Sequence, residues 1–421
     1  MRLMRLALEE RAVRDALALT PVTLIAAGKA AEGMVEGLAA SVSIGIRGGV
    51  VVGPASRAVI PDGLSWYQGG HPLPDKGSVE AGSAALQCVA EAPQSGVVLV
   101  LLSGGASALL ALPVDGLGLE DKIATTRTLL DAGVPIHELN CVRKHLSDVK
   151  GGRLALVGRS RMLTLAISDV VGPVENDPAV IGSGPTVADE TTYREAFTIV
   201  NRSAIRHRIP ANVLNLLERG TVGDLPETLK SADERSSSLT YRVIGSRRQA
   251  MDGAIAAARG LGYEVTSLEA PITGEARVVG GELVDRMVAS VRSGSRSVCL
   301  VSTGETTVTV VGEGLGGRNQ ELALAAAPRL GCGATPAVLV SVGTDGVDGP
   351  TDAAGAIADS TTLERARAAS LGLPSRYLSD NNSYRFFESL GDLVKIGPSG
   401  TNVGDLQILL AADPAKLKRR D

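Results

Sequence analysis

Three short apolar runs, Val22 to Ala26, Val97 to Leu102 and Met162 to Ile167, each end at a small residue (Gly28, Gly104, Ser168) and then change periodicity. An apolar run without alternation is the pattern of a strand buried on both faces, and such strands belong to parallel sheets covered by helices. The following segments agree with this, since apolar positions in Val79 to Ala92 and Glu120 to Ala132 fall at helical spacing. The first half is therefore expected to be an open α/β domain, and ligands of such folds bind where the strands end.

A chain of 421 residues is long for one core at roughly 100–200 residues per domain. Around residues 218 to 239 the βα pattern lapses into a polar, aperiodic stretch, which places the expected boundary at 1–235 and 236–421. The second half restarts with strand-like Tyr241 to Ile244, a helix from Gln249, a strand over Glu264 to Leu268 and a helix from Thr273. Ser297 to Ser302, an alternating Thr306 to Val311 and Ala337 to Val342 follow, and that alternation predicts a mixed sheet with a hairpin.

Composition removes several function classes. Forty-two Lys and Arg against 46 Asp and Glu give a net charge of -4, and the longest basic cluster is the short tail Lys416 to Arg420, so no nucleic-acid partner is expected. Aromatic residues are 2% of the chain, too few for base-stacking platforms. Four dispersed cysteines fit neither a disulfide framework nor a zinc site and suit a reducing compartment. Without HxxxH spacing, any metal is expected to be held by oxygen, which points to magnesium. No apolar run is long enough to span a bilayer and the N-terminus turns acidic early, so the expectation is a cytoplasmic protein with no membrane partner.

The chemistry-bearing segments lie mostly at strand ends. Ser103-Gly104-Gly105 with Ser107 follows an apolar strand and opens a helix, a combination that suits an anion or a tight βα turn with a serine cap. It is not a Walker A loop. Gly28-Lys29 has the same placement, so Lys29 is either a ligand-facing lysine or a solvated one. His71 and Asp75 share a Gly- and Pro-rich loop that reads as a substrate loop or a rigid turn. Asp169 ends another strand and could ligate magnesium or cap a turn, and Gly184 to Thr186 form a further glycine-hydroxyl segment.

In the second half, Gly312 to Gly317 formally matches GxGxxG, but its preceding strand alternates and no acid lies about 20 residues beyond to hold a ribose. More informative is Arg318-Asn319-Gln320-Glu321, which sets a guanidinium at a glycine-rich helix start. Asp345, Asp348 and Asp352 share one loop, and Gly397 to Asn402 is another glycine-hydroxyl loop that includes Thr401. Loops of this kind in both halves predict a site in the cleft between two domains.

Taken together, these motifs resemble the glycerate 2-kinase family, whose C-terminal half is a MOFRL-type domain and which has also gone by the name hydroxypyruvate reductase. The resemblance rests on Leu102 to Leu110, Val142 to Ser147 with Lys150 to Leu154, Ser183 to Thr186, Gly304 to Val308, Gly317 to Leu322, Gly343 to Gly355 and Gly397 to Asn402. It implies a Rossmann-like N-terminal domain and ATP-dependent phosphorylation of D-glycerate at the 2-hydroxyl, giving 2-phosphoglycerate and ADP. By that similarity Lys29 and Arg318 are catalytic, and Ser103, Gly104, Gly105, Ser107, Gly184 and Thr186 hold nucleotide phosphates. His71, Asn319, Glu321, Asp345, Thr401 and Asn402 would bind substrate, Asp169 would bind magnesium, and a homodimer is compatible with the family.

The chain departs from the family pattern at Ala106, where a further glycine is usual, at Gly172-Pro173, where Gly-Asp is usual, and at Arg247, where an asparagine is usual. Two other readings compete with the kinase. One is an NAD(P)H-dependent hydroxypyruvate reductase, disfavoured by the weak dinucleotide fingerprint. The other is a non-catalytic sugar-phosphate sensor that reuses the fold.

Overall fold

A computed structural model of the chain describes residues 2–18, 21–41, 45–55, 60–290, 297–333 and 335–411. The basic tail Lys416 to Arg420 lies outside the described residues. The chain divides into two compact units, Met1–Ile244 and Gly245–Asp421.

The first unit is built on β1 (Val22–Ala27), β2 (Ile46–Gly53), β3 (Leu64–Gln68), β4 (Val97–Leu102), β5 (Arg161–Ile167) and β6 (Leu239–Gly245). Their order is β3-β2-β1-β4-β5-β6, and the pairs from β3 through β5 are parallel. That order places a switch point between β1 and β4, where successive crossovers depart in opposite directions and leave a crevice at the carboxyl ends. Both strands are buried along their whole length, as their unbroken apolar runs require. Covering helices include Lys76–Ala90, which starts where Asp75 accepts from the Ser78 amide in a reciprocal capping box. Asp75 is therefore a helix cap. A second apolar cluster, with Leu129, Val142, Tyr193 and Leu217, holds the helical part of the unit together.

The polar stretch expected to be a linker belongs to the first unit. Leu229 is fully buried, Glu227 bonds His145 and the segment leads into β6, so the division comes after it. The strand expected to open the second half is thus part of the first sheet. Segment polarity misleads here because Glu227, Lys230 and Arg235 are hydrogen-bonded within the first unit.

The second unit carries β7 (Glu264–Ser267), β8 (Val298–Gly304), β9 (Ala337–Gly343), β10 (Gly355–Asp359), β11 (Leu393–Val394) and β12 (Asp405–Ala411). The order is β11-β10-β9-β12-β8-β7, with β7 parallel to β8 and the remaining pairs antiparallel, so the sheet is mixed. Its core packs helices Ala276–Ser290 and Arg318–Cys332 against this sheet. The alternating Thr306 to Val311 is not a strand. Glu275 accepts from Thr309, and Asn381 Oδ1 accepts from the amides of Val311 and Gly312, so side chains take the hydrogen bonds a ladder would have used.

Candidate active site

In the first unit, the turns after β1 and β4 meet at the switch point. Gly28 has φ +129, and a Cβ there would lie 2.1 Å from Ser103 Oγ, so the approach requires glycine. The Lys29 amide donates to the Gly104 carbonyl at 2.9 Å, and the Ala30 amide to Ser103 Oγ at 3.0 Å. Lys29 and the Ser103–Gly104–Gly105 turn are thereby fixed side by side on the sheet's carboxyl edge. Gly105 has φ +85, and a Cβ there would stand 2.9 Å from His71 Cδ2, which puts the His71 ring over the turn.

The helix that follows, Ala106–Leu109, is a single turn, so its dipole is too small to account for an anion site. Positive charge reaches the turn through side chains instead. Arg143 Nη2 donates to Ser107 Oγ at 2.6 Å, and Ser107 Oγ is 2.8 Å from Ser183 Oγ. Lys150, fully buried, donates to the carbonyls of Ser107 at 2.7 Å and Leu110 at 3.3 Å. Ala106, first in its helix, is not among the positive-φ residues, so its backbone needs no glycine.

Asp169, half-buried, leaves the sheet just after β5, whose register sets Ala166 opposite Leu102 of β4. The Gly184 carbonyl accepts from the Gly152 amide at 2.7 Å, and buried Thr186 shares a 2.8 Å hydrogen bond with Thr164 of β5. Gly184 thus braces the Lys150–Arg153 turn and Thr186 ties its segment to the sheet.

In the second unit, Gly317 precedes Arg318, the first residue of the helix Arg318–Cys332. Arg318 donates from Nε to Asp405 Oδ2 at 2.7 Å, from Nη2 to Asp405 Oδ1 at 2.9 Å and from Nη1 to Glu305 Oε1 at 2.9 Å. Burial works against its charge, but the two carboxylates outweigh burial and raise its pKa above the usual range. Asp405 is fully buried at the start of β12, in register with Gly304 of β8 and Gly343 of β9.

The loops beyond these strand ends bring Asp345, Thr401 and Asn402 to the same edge. Asp345 Oδ1 accepts from the Val347 amide at 3.1 Å, its carbonyl accepts from the Ser399 amide at 3.0 Å, and Asn402 Oδ1 accepts from the Gly404 amide at 3.2 Å. Thr401 Oγ1 is buried and has no hydrogen-bond partner among the described residues, so it retains capacity for a ligand.

Glu321 does not join them, whereas Asn319 reaches the same strand edge through its hydrogen bond to Asp405. Asn319 is buried between Asp348 and Ser341, and Glu321 is buried in an ion pair with Arg277 at 2.8 Å. Position on the helix explains the difference, because Arg318 and Asn319 in its first turn both reach Asp405, while Glu321 turns toward Arg277 on the helix Ala276–Ser290. The glycines of the formal GxGxxG are filled by their own chain. Added Cβ atoms at Gly312 and Gly314 would meet Asp380 at 2.4 and 2.3 Å, which leaves no cradle for a pyrophosphate.

Residues that the sequence reading did not single out are Asp405, Arg143, Ser183 and Lys122. Arg143 and Ser183 lie inside motif segments that the resemblance used. Lys122 gives no signal, since a lysine in an amphipathic helix normally faces water, yet here it is only 4% exposed. Among the described residues no three His, Cys, Asp or Glu side chains gather as a metal site. No helix among them is long and apolar enough to cross a membrane.

Residues 2–218 match the family model described as a domain of unknown function, DUF4147, and residues 298–405 match the MOFRL family model. The chain is 37% identical to the glycerate 2-kinase of Pyrococcus horikoshii, over 92% of this chain and 87% of that one. It is also 37% identical to the D-glycerate 2-kinase of Thermotoga maritima, over 95% and 93% respectively. The crystal structure of a glycerate kinase from Thermotoga maritima superposes with a TM-score of 0.84 at 35% identity, covering 98% of each chain.

Proposed function

The chain belongs to the glycerate kinase family, and from that premise we propose that it transfers the γ-phosphoryl group of ATP to the 2-hydroxyl of D-glycerate, releasing 2-phosphoglycerate and ADP. In this step the hydroxyl oxygen bonds to the γ-phosphorus, the bond to the β–γ bridging oxygen breaks with ADP as the leaving group, and the hydroxyl proton passes to solvent. Such transfers depend mainly on positioning and on stabilising charge spread over the phosphoryl oxygens. We assign that stabilisation to Lys29 and Arg318. The turn Ser103–Gly105 with Ser107 supports nucleotide phosphates, and Asp345, Thr401 and Asn402 orient the acceptor.

The observation that carries this reading is the stitching of the Lys29 and Gly104 turns at the sheet's switch point, the position where open α/β folds take phosphorylated ligands. Magnesium would need only one protein carboxylate here, because this ion usually keeps several waters and needs no full protein cage. Asp169 is the residue that would hold it, and the ion would neutralise phosphate charge. We place the reaction in the cytoplasm, where ATP is available and where four free cysteines are at home.

The test is incubation of the full chain with D-glycerate, ATP and magnesium, with products followed by phosphorus NMR. Formation of ADP and 2-phosphoglycerate in equal amounts is expected. Exclusive 3-phosphoglycerate would move the site of transfer, and NADH oxidation by hydroxypyruvate without ADP formation would overturn the kinase.

A further inference from the structure

Three cationic side chains crowd around the one-turn helix that carries Ser107, with too few carboxylates to balance them. Arg143 reaches Ser107 Oγ, Lys150 reaches the carbonyls of Ser107 and Leu110, and Lys122 is buried nearby on the helix Leu119–Asp131. The ammonium of Lys122 meets no hydrogen-bond partner among the described residues. These groups are close enough to repel one another, Lys122 against Arg143 and Lys150 against both. The acid facing them, Asp148, is also engaged by Arg153 at 3.4 Å.

The other charges on the helix Ile136–His145 are settled elsewhere. Lys144 pairs with Asp189 at 3.2 Å and His145 with Glu227 at 3.1 Å, so neither acid is available to Lys122. An unpaired ammonium kept out of water is strongly unfavourable, and an apolar side chain of similar length would fill the same space without that penalty. A cation retained in such a place is accounted for if an anion completes the cluster. Arg143 and Ser107 are only partly buried, so the cluster has an opening toward solvent.

Resting on the kinase reading, we infer that Lys122, Arg143 and the Ser107–Ser183 hydroxyl pair form a pocket for one oxyanion group of the substrates. A planar guanidinium, an ammonium and two hydroxyls suit either the carboxylate of the acceptor or a phosphoryl group of the nucleotide. Lys150 acts as a positioning residue that holds the Ser107 turn from its carbonyl side.

Burial brings the Lys122 pKa down to about 7, with Arg143 pushing the same way and Asp148 opposing. Without an anion the ammonium is thus partly discharged near neutrality, and an arriving oxyanion restores its proton. Binding through this pocket should therefore take up a proton from the buffer.

Titration calorimetry of the full chain at pH 7.5, in buffers of low and high ionisation enthalpy, tests this with D-glycerate and with a non-hydrolysable ATP analogue plus magnesium. One ligand is expected to bind with proton uptake, and both Lys122→Met and Arg143→Gln should weaken that ligand at least tenfold while changing the other less than twofold. Loss confined to D-glycerate identifies the carboxylate; loss confined to the ATP analogue identifies a phosphoryl group. Folded variants that bind both ligands within twofold of wild type overturn the pocket. If the wild type binds neither substrate, the kinase reading fails on its own, and inorganic phosphate becomes the probe. Phosphate binding that Lys122→Met abolishes then sustains the pocket, and absence of phosphate binding to the wild type overturns it too.

Discussion

Arg318 and Asp405 meet through two parallel hydrogen bonds, Nε to Oδ2 at 2.7 Å and Nη2 to Oδ1 at 2.9 Å. The sheet fixes the carboxylate, because Asp405 is paired by main chain with Gly304 on one side and Gly343 on the other. The carboxylate in turn fixes the guanidinium, whose Nη1 edge is met by the more exposed Glu305. A fork–fork pair of this kind restricts the arginine to one orientation. Asp405 is thus a positioning residue whose role is read through Arg318.

Asp405→Asn keeps the size of the side chain and removes its charge. Because it leaves a largely buried guanidinium with one carboxylate fewer, stability should fall by roughly 2–4 kcal/mol. The turnover number should fall about 10- to 100-fold with KM for either substrate changing less than threefold, as expected when a transition-state contact loses its geometry. Steady-state kinetics and a denaturant melt on the same preparation check both, and a variant with wild-type turnover would show that the orientation of Arg318 does not matter to the chemistry.

Lys29 offers a cleaner separation of activity from stability. Its side chain is only partly buried at the sheet edge, so Lys29→Met should alter stability by no more than about 1 kcal/mol. If it stabilises the phosphoryl group in flight, turnover should drop on the order of 100- to 1,000-fold, with Lys29→Arg recovering part of the loss. Unchanged turnover in Lys29→Met removes the residue from the reaction.

Gly105 and Gly133 both hold positive φ, at +85 and +64, but only Gly105 has a neighbour in the way. Gly133→Ala should cost about 1 kcal/mol of stability from backbone strain alone and leave kinetics intact. Gly105→Ala carries a similar strain and also pushes against His71, so kcat/KM should fall at least tenfold. Equal kinetic effects from the two substitutions would mean that the His71 contact is incidental.

Much of this architecture is visible in the sequence, for identifiable physical reasons. The runs at β1 and β4 are unbroken because those strands are buried on both faces, and the loops with Lys29 and Ser103 follow directly from them. The strands β2 and β3 carry no comparable signal: Ile46–Gly53 begins with a partly exposed, glycine-containing stretch, and Leu64–Gln68 lies at the sheet edge with no fully buried residue. The boundary was obscured because Glu227 and Lys230 satisfy each other and their neighbours inside the first unit. Asn319 and Glu321 are ligand groups only by the family resemblance, and in the fold their side chains are held by Ser341 and Arg277, partners that polarity along the sequence does not reveal. Asp405 could not be recognised at all, because nothing in one sequence indicates that a strand's first residue will face an arginine 87 positions earlier.

Lys122 yields a prediction of opposite sign for stability. The native pKa is about 7, against 10.5 for an unperturbed lysine, so between those values the unfolded chain holds more protons than the folded one. Stability conferred by this residue therefore rises as pH goes from 7 toward 10.5, and below pH 7 the charged lysine imposes its full penalty, sharpened by Arg143 and Lys150 and only partly relieved by Asp148. Lys122→Met should stabilise the ligand-free protein, by roughly 1–4 kcal/mol at pH 6, and the gain should shrink steadily toward pH 10. Denaturant melts at pH 6, 7.5 and 9 in a buffer free of phosphate measure it. A variant less stable than wild type at pH 6, or one whose advantage grows with pH, would show that the ammonium is already compensated within the fold, and the need for an incoming anion would disappear with it.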